Sequence, residues 1–170
     1  MKISEFNSSV LPIQQKIFRL SKRLLTSSDA AEDASQEVMI KLWNKRHELN
    51  EINNIEAFAM TITKNHCLDQ LKLKANQNLR LVHTNYENKS ADPQKQLEAK
   101  QELNTVEAMI KTLPETQRLV LHLRQIEGYE YDKICEIMDM KPKAVRVTLS
   151  RARKNLVERI SKQHQNENRA

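Results

Sequence analysis

Lysines and arginines crowd one stretch near the C-terminus, and their spacing sets what they can do. Between Lys141 and Arg159, seven basic residues stand against one acid, Glu158. Val145, Leu149, Ala152, Leu156 and Ile160 recur there at steps of three and four, which puts them on one side of a helix. Lys143, Arg146, Arg151, Arg153 and Lys154 fall on the other sides. An arginine fork can make two parallel bonds to the major-groove edge of a guanine, and any cation can hold a phosphate. The chemistry on offer is therefore recognition of nucleic acid.

A second set of residues is of the opposite character. Along Asp29–Arg46, at about 100° per residue, Ala31, Ala34, Val38 and Leu42 share a face suited to a core. Asp33, Gln36, Ile40 and Trp43 fall on the opposite side, flanked by Asp29 and Glu37. Ile40 and Trp43 are out of place on a solvated face. Either this helix is buried on both sides, or it carries a docking site with an apolar centre and an acidic rim. We favour docking, and its negative charge suits a protein partner. A third set, Thr61, Lys64, Asn65, Asp69 and Lys72, recurs along the polar face of another helical stretch. Such a face is ordinarily just solvated, yet amides, a carboxylate and lysines can also hold unstacked bases and phosphates.

The elements that must position these sets are all helical. One glycine, four prolines and 29% charged residues leave little material for the turns of an antiparallel sheet, so the expected fold is all-α. The basic stretch follows a shorter helix with Ile134, Cys135, Ile137 and Met138 inward, and a turn near Asp139 and Met140 joins them. Pro142 suits the first turn of the second helix, where its missing donor has no helical partner. Two helices in this order form a helix-turn-helix, the second placed for a major groove. The plainer alternative is a helical hairpin with solvated charges.

Elsewhere, Ile13, Ile17, Leu20 and Leu24 predict a first helix ending before Thr26. Ser28 or Asp29 is expected to cap the next, with Glu32 completing a capping box from Asp29. His47 to Asn54 reads as a polar loop, with Asn53 and Asn54 as stop or cap signals. The helix of Ala57–Lys74 follows, with Phe58, Ile62 and Leu68 among its apolar contacts. From Ala75 to about Gln94 the apolar period lapses, and Asp92-Pro93 closes a stretch read as a flexible linker. Leu97, Leu103, Val106, Ile110 and Leu113 resume the pattern, and Pro114 opens a helix with Leu119, Val120, Leu123 and Ile126 inward, ended by Gly128. Residues from Ser161 onward read as a polar, frayed tail.

The formal charge of +6 agrees with a nucleic-acid partner without requiring one. No apolar run is long enough to span a membrane, and the polar start lacks a signal-peptide core. Cys67 and Cys135 show no metal-ligand spacing and are expected to be reduced, buried thiols in a cytoplasmic protein. His66-Cys67 are adjacent, so their side chains point apart, while His122 and Cys135 read as packing residues. With no nucleophile–base pair and no glycine-rich phosphate loop, we expect no catalytic residues, no metal and no cofactor.

With the three sets placed in order, the chain resembles a sigma factor of the extracytoplasmic-function group, small subunits that direct bacterial RNA polymerase to promoters. DAAEDASQEVMIKLW, from Asp29, resembles the core-binding helix of the family's second region. AFAMTITKNHCLDQLK, from Ala57, resembles the helix that handles the melted minus-ten element. LPETQRLVLHLRQIEGYEYDKICEIMDMKPKAVRVTLSRARKNL, from Leu113, resembles the fourth region, which reads the minus-thirty-five element. The resemblance implies two small helical domains, residues 1–75 and 95–162, with a linker at 76–94 and a tail at 163–170. It implies that Asp33, Gln36, Glu37, Ile40 and Trp43 dock on the clamp helices of the polymerase's largest subunit, the fourth region meeting the flap. Lys64, Asn65, Asp69 and Lys72, with the His47–Asn54 loop, would capture the opened non-template strand. Lys143, Ala144, Arg146, Val147 and Ser150 would meet base edges, and Arg118, Lys133, Arg151, Arg153 and Lys154 phosphates. An anti-sigma factor is a further partner the resemblance allows. Asp139 stands where the family often has glycine, Ala144 where it has threonine, Val147 where a polar residue is common, and Lys141 where serine would cap. These departures bear on the promoter sequence, not on the fold. A stand-alone helix-turn-helix regulator would account for the C-terminal half alone.

Overall fold

The computed structural model describes residues 1–25, 27–81, 106 and 108–167. Every regular element among them is helical. In chain order these are α1 (Ile3–Val10), α2 (Gln14–Leu24), α3 (Ser28–Asn44), α4 (Ile55–Leu81), α5 (Glu115–Gln125), α6 (Tyr131–Met138) and α7 (Pro142–Glu167), with single 3-10 turns at Leu11–Ile13 and Glu48–Glu51. They fall into two compact units, one of α1–α4 with Glu136–Met138 and one of the remaining C-terminal residues. Among the described residues no helix is long and apolar enough to cross a membrane.

In the first unit the expected stripes meet. Ile13, Ile17, Leu20 and Leu24 are buried, as are Ala31, Ala34, Val38 and Leu42. The periodicity did not reveal α1, which contributes only Phe6 and Val10 to the core. Two apolar residues one turn apart are too few to declare a helix. The Lys2 backbone N–H, donating to the Glu5 carboxylate at 2.8 Å, helps fix its start. The cap of α3 is Ser27, one residue before the expected position; its Oγ accepts from the Ala30 N–H at 3.3 Å. Ser27 has the extended backbone an N-cap requires, whereas Ser28 is already helical.

The segment from His47 to Asn54 is more ordered than a plain loop. Its 3-10 turn drives Leu49 into the core, and the Asn54 side chain caps α4 by accepting from the Ala57 N–H at 3.0 Å. On α4 the innermost residues are Ala59, Met60, Thr63 and Cys67, while Phe58, Ile62 and Leu68 are half-buried. Thr63 is tolerated inside because its hydroxyl donates to the Ala59 carbonyl at 2.8 Å, within its own helix. The Cys67 thiol donates to Ser21 Oγ at 3.6 Å, and burial pushes its pKa up. Both cysteines are free, Cys67 buried and Cys135 half-buried. The helix then runs on to Leu81, past the point where the linker was expected to begin. Loss of apolar period marks where a helix stops being covered, and no glycine or proline between Ile55 and Leu81 stops it. Residues 82–94 of the expected linker, with Leu97 and Leu103, lie outside the described residues.

The second unit is built on Leu113, Leu119, Val120, Leu123, Ile134, Val145, Leu149 and Ala152, all buried. Ile126, expected inside, is 54% exposed. The helix ends at Gln125, and the Glu127 side chain turns inward instead, its carboxylate 3.4 Å from Nε2 of the buried His122. Gly128 at φ +70° then lets the Tyr129 N–H reach the Leu123 carbonyl at 3.0 Å. Asp139 takes the left-handed conformation, φ +52°, and the Met140 N–H bonds back to the Cys135 carbonyl at 3.0 Å. The helix-turn-helix is thus closed by a residue other than glycine. Pro142 opens α7 as expected, but the helix continues through the expected tail to Glu167.

Candidate binding surfaces

On α3, Asp33, Gln36, Glu37 and Ile40 are exposed, Ile40 by 58%. Ile40 points away from the buried stripe, so an apolar side chain sits in an acidic rim. Trp43 departs from the expectation of an open face. It is half-buried, its ring edge-to-face with Phe6 at 5.0 Å and 88°. The Arg46 guanidinium lies 4.6 Å from the Trp43 ring centre and donates to the Trp43 carbonyl at 3.1 Å. Trp43 lies at the edge of the face and is shared with the core; α1, which supplies Phe6, was the missing partner.

On α4, Asn65, Asp69 and Lys72 are exposed along one face and Lys64 is half-buried beside it. Lys72 pairs with Asp69 at 3.5 Å, while Thr61 spends its hydroxyl proton on the Ala57 carbonyl at 2.9 Å. Between this face and that of α3 lies a cluster that sequence reasoning passed over. Lys41 Nζ sits 2.7 Å from His66 Nδ1, and the Gln70 amide 3.1 Å from His66 Nε2. A lysine can only donate, so Nδ1 accepts from Lys41. Burial lowers the His66 pKa, and the Lys41 charge lowers it further, against opposing effects of Glu37 and Asp69. Only the juxtaposition of α3 and α4 makes this cluster; no spacing within one helix signals it.

On α7, Lys143, Ala144, Arg146, Val147, Ser150, Arg151, Arg153 and Lys154 are all exposed. At 100° per residue, Lys143, Val147, Ser150 and Lys154 stand opposite the buried stripe, with Arg146 and Arg153 on one flank. Arg118 on α5 is half-buried and donates to the Lys111 carbonyl at 2.9 Å, so it also ties down the segment before Pro114. Lys133 on α6 lies 4.7 Å from the Tyr129 ring centre. A second aromatic ring, Tyr131, has two guanidinium groups over it, Arg124 at 5.0 Å and Arg146 at 5.5 Å. A cationic helix face preceded by a shorter helix can enter a major groove, and an acidic face with an exposed isoleucine can dock on a protein.

Residues 10–77 match the family described as Sigma-70 region 2, and residues 103–156 match Sigma-70, region 4. The ECF RNA polymerase sigma-E factor of Escherichia coli K12 is 26% identical over 168 residues, covering 91% of this chain and 86% of that relative. The RNA polymerase sigma-H factor of Pseudomonas aeruginosa is 27% identical over 158 residues, with 87% and 82% covered. Among solved structures, the sigma factor RpoE of Bartonella quintana, in complex with the anti-sigma factor NepR, superposes with a TM-score of 0.77 at 21% identity, covering 94% of this chain and 98% of that one. CnrH, in complex with the cytosolic domain of CnrY, gives 0.67 at 17% identity, with 94% and 90% covered. These two share the two-domain helical fold. The chain belongs to the sigma-70 family, in its extracytoplasmic-function group. It binds core RNA polymerase and directs the initiation of transcription at promoters.

Proposed function

We propose that the three surfaces divide this task by residue. Asp33, Gln36, Glu37 and Ile40, with the outer edge of Trp43, dock on the clamp helices of the polymerase. Lys64, Asn65, Asp69 and Lys72 with the His47–Asn54 segment receive the opened non-template strand at the minus-ten element. Lys143, Ala144, Arg146, Val147 and Ser150 read base edges at the minus-thirty-five element. Arg118, Lys133, Arg151, Arg153 and Lys154 set register on phosphates, and this C-terminal unit meets the flap. We take the domains as residues 1–75 and 95–162, the action as binding without catalysis, and the compartment as the cytoplasm. An anti-sigma factor, as in the complexes of the two structural relatives, is a further partner.

The observation that carries this reading is the pairing, in one chain, of an acidic face centred on exposed Ile40 with an exposed cationic face on α7. A base leaving the stack must be compensated by contacts to the protein, which is where the α4 face enters. Transcription in vitro with purified core polymerase over a genomic template library should yield a small set of shared start sites. On one such promoter, Arg146→Ala should cost the holoenzyme about 1–3 kcal/mol and relax preference at one base pair. Arg153→Ala should weaken all sequences alike and make the salt dependence shallower by about one ion. Equal effects of both variants on every duplex would show that Arg146 is a phosphate anchor.

A further inference from the structure

Arg146 is not an isolated side chain on the recognition helix. Its guanidinium lies 5.5 Å from the ring centre of Tyr131 on α6, and the Arg124 guanidinium of α5 lies 5.0 Å from the same centre. Arg124 is itself held, donating to the Tyr129 carbonyl at 2.7 Å and pairing with the Glu130 carboxylate at 3.1 Å. Three helices therefore meet at one half-buried ring, and the exposed end of the stack is Arg146. Tyr131 belongs to the first helix of the helix-turn-helix and sits outside the basic stretch whose spacing points to DNA.

We propose that Tyr131 is a positioning residue for promoter recognition, holding the Arg146 guanidinium ready for a base edge. The inference rests on Arg146 reading a base. A long arginine side chain loses much rotamer freedom when it is fixed, and one ordered beforehand loses less at the moment of binding. A guanidinium over an aromatic face keeps its planar N–H edge available for bidentate bonding. The gain falls where two parallel bonds must form together, on the cognate base pair. A phosphate contact, which needs only charge, gains little. Arg124, fixed by Glu130 and the Tyr129 carbonyl, keeps the ring from swinging away, and Glu130 offsets part of the repulsion between the two cations.

The experiment uses holoenzyme assembled from the full chain and core polymerase, on a promoter found by transcription in vitro and its singly substituted minus-thirty-five variants. Tyr131→Leu should weaken the cognate promoter roughly 2- to 5-fold, the range of an exposed cation–π contact. It should flatten preference at the same base pair that Arg146→Ala flattens, and add nothing in the Arg146→Ala background. Tyr131→Phe, which keeps the ring, should bind and discriminate as the parent does. If Tyr131→Leu fails to fold, Tyr131→Met fills similar space without a ring and carries the same comparison. Uniform weakening of every duplex would make Tyr131 a phosphate or packing residue and overturn the proposal. Tighter binding would overturn it too, because the ring would then be holding Arg146 away from DNA. If Arg146→Ala itself leaves base preference untouched, the underlying assignment of Arg146 has failed, which is a distinct result.

Discussion

At the scale of single residues, Ile40 and Trp43 separate two roles that one helix face combines. Ile40 is 58% exposed and touches little of its own fold, so Ile40→Asp should leave stability within about 0.5 kcal/mol. The same change should weaken polymerase binding by about 1–3 kcal/mol, the range of an interface anchor. Trp43 packs edge-to-face on Phe6, and Trp43→Ala should lower stability by about 1–3 kcal/mol as well as binding. Thermal melts alongside co-purification with core polymerase distinguish these; normal binding by Ile40→Asp would remove α3 from the interface. His66 gives a pH signature. Burial and Lys41 lower its folded pKa below the ordinary 6.5, so below that value the unfolded chain binds more protons. Stability from this group is complete above 6.5 and is lost as the pH falls through the lowered folded value. Between about pH 7.5 and about pH 5.5 the urea midpoint should fall more in the parent than in His66→Gln, which cannot titrate there. Parallel profiles would mean that the Lys41–His66–Gln70 cluster does not form in solution.

At the scale of elements, the turn between α6 and α7 is held by Asp139 at φ +52°, a conformation that suits glycine and costs other residues roughly 1 kcal/mol. Asp139→Gly should raise the melting transition of the C-terminal unit by the equivalent of up to about 1 kcal/mol, net of glycine's greater freedom when unfolded. A lower transition would show that the aspartate side chain contributes more than its backbone costs. This turn was legible in the sequence because its flanking stripes, Ile134 and Ile137 before and Val145 and Leu149 after, are periodic and fully buried. The long, regular stripes of α2, α3 and α7 were legible for the same reason. What escaped was polar or sparse. Thr63 and Cys67 face the core of α4 with hydrogen bonds that an apolar count ignores, and α1 offers only two inward residues. Ile126 misled because period continued past the helix end, where Gly128 reverses the chain and Glu127 takes the inner place. The exposed stretches of α3, α4 and α7 were legible as faces, save that Trp43 is shared with the core, but the Tyr131 stack and the His66 cluster each need two or more helices brought together.

At the scale of the whole molecule, the two units have separate cores. Leu42 is fully buried among Phe6, Val10, Ile17 and Val38, all within α1–α3, while the buried Leu149 belongs to the C-terminal unit with Val145 and Ala152. These two buried sets belong to different units, so each unit should lose order at its own temperature. Leu→Ala at a fully buried site removes transfer energy and leaves a cavity, together about 2–5 kcal/mol. Leu42→Ala should therefore lower one calorimetric transition and leave the other in place, and Leu149→Ala should do the reverse. Function should divide along the same line. The first variant should lose polymerase binding as the temperature rises through its lowered transition, and the second should lose discrimination at the minus-thirty-five element while still binding core polymerase. A single transition that both substitutions lower together would show one cooperative body, and the assignment of polymerase docking and upstream reading to independent domains would fall.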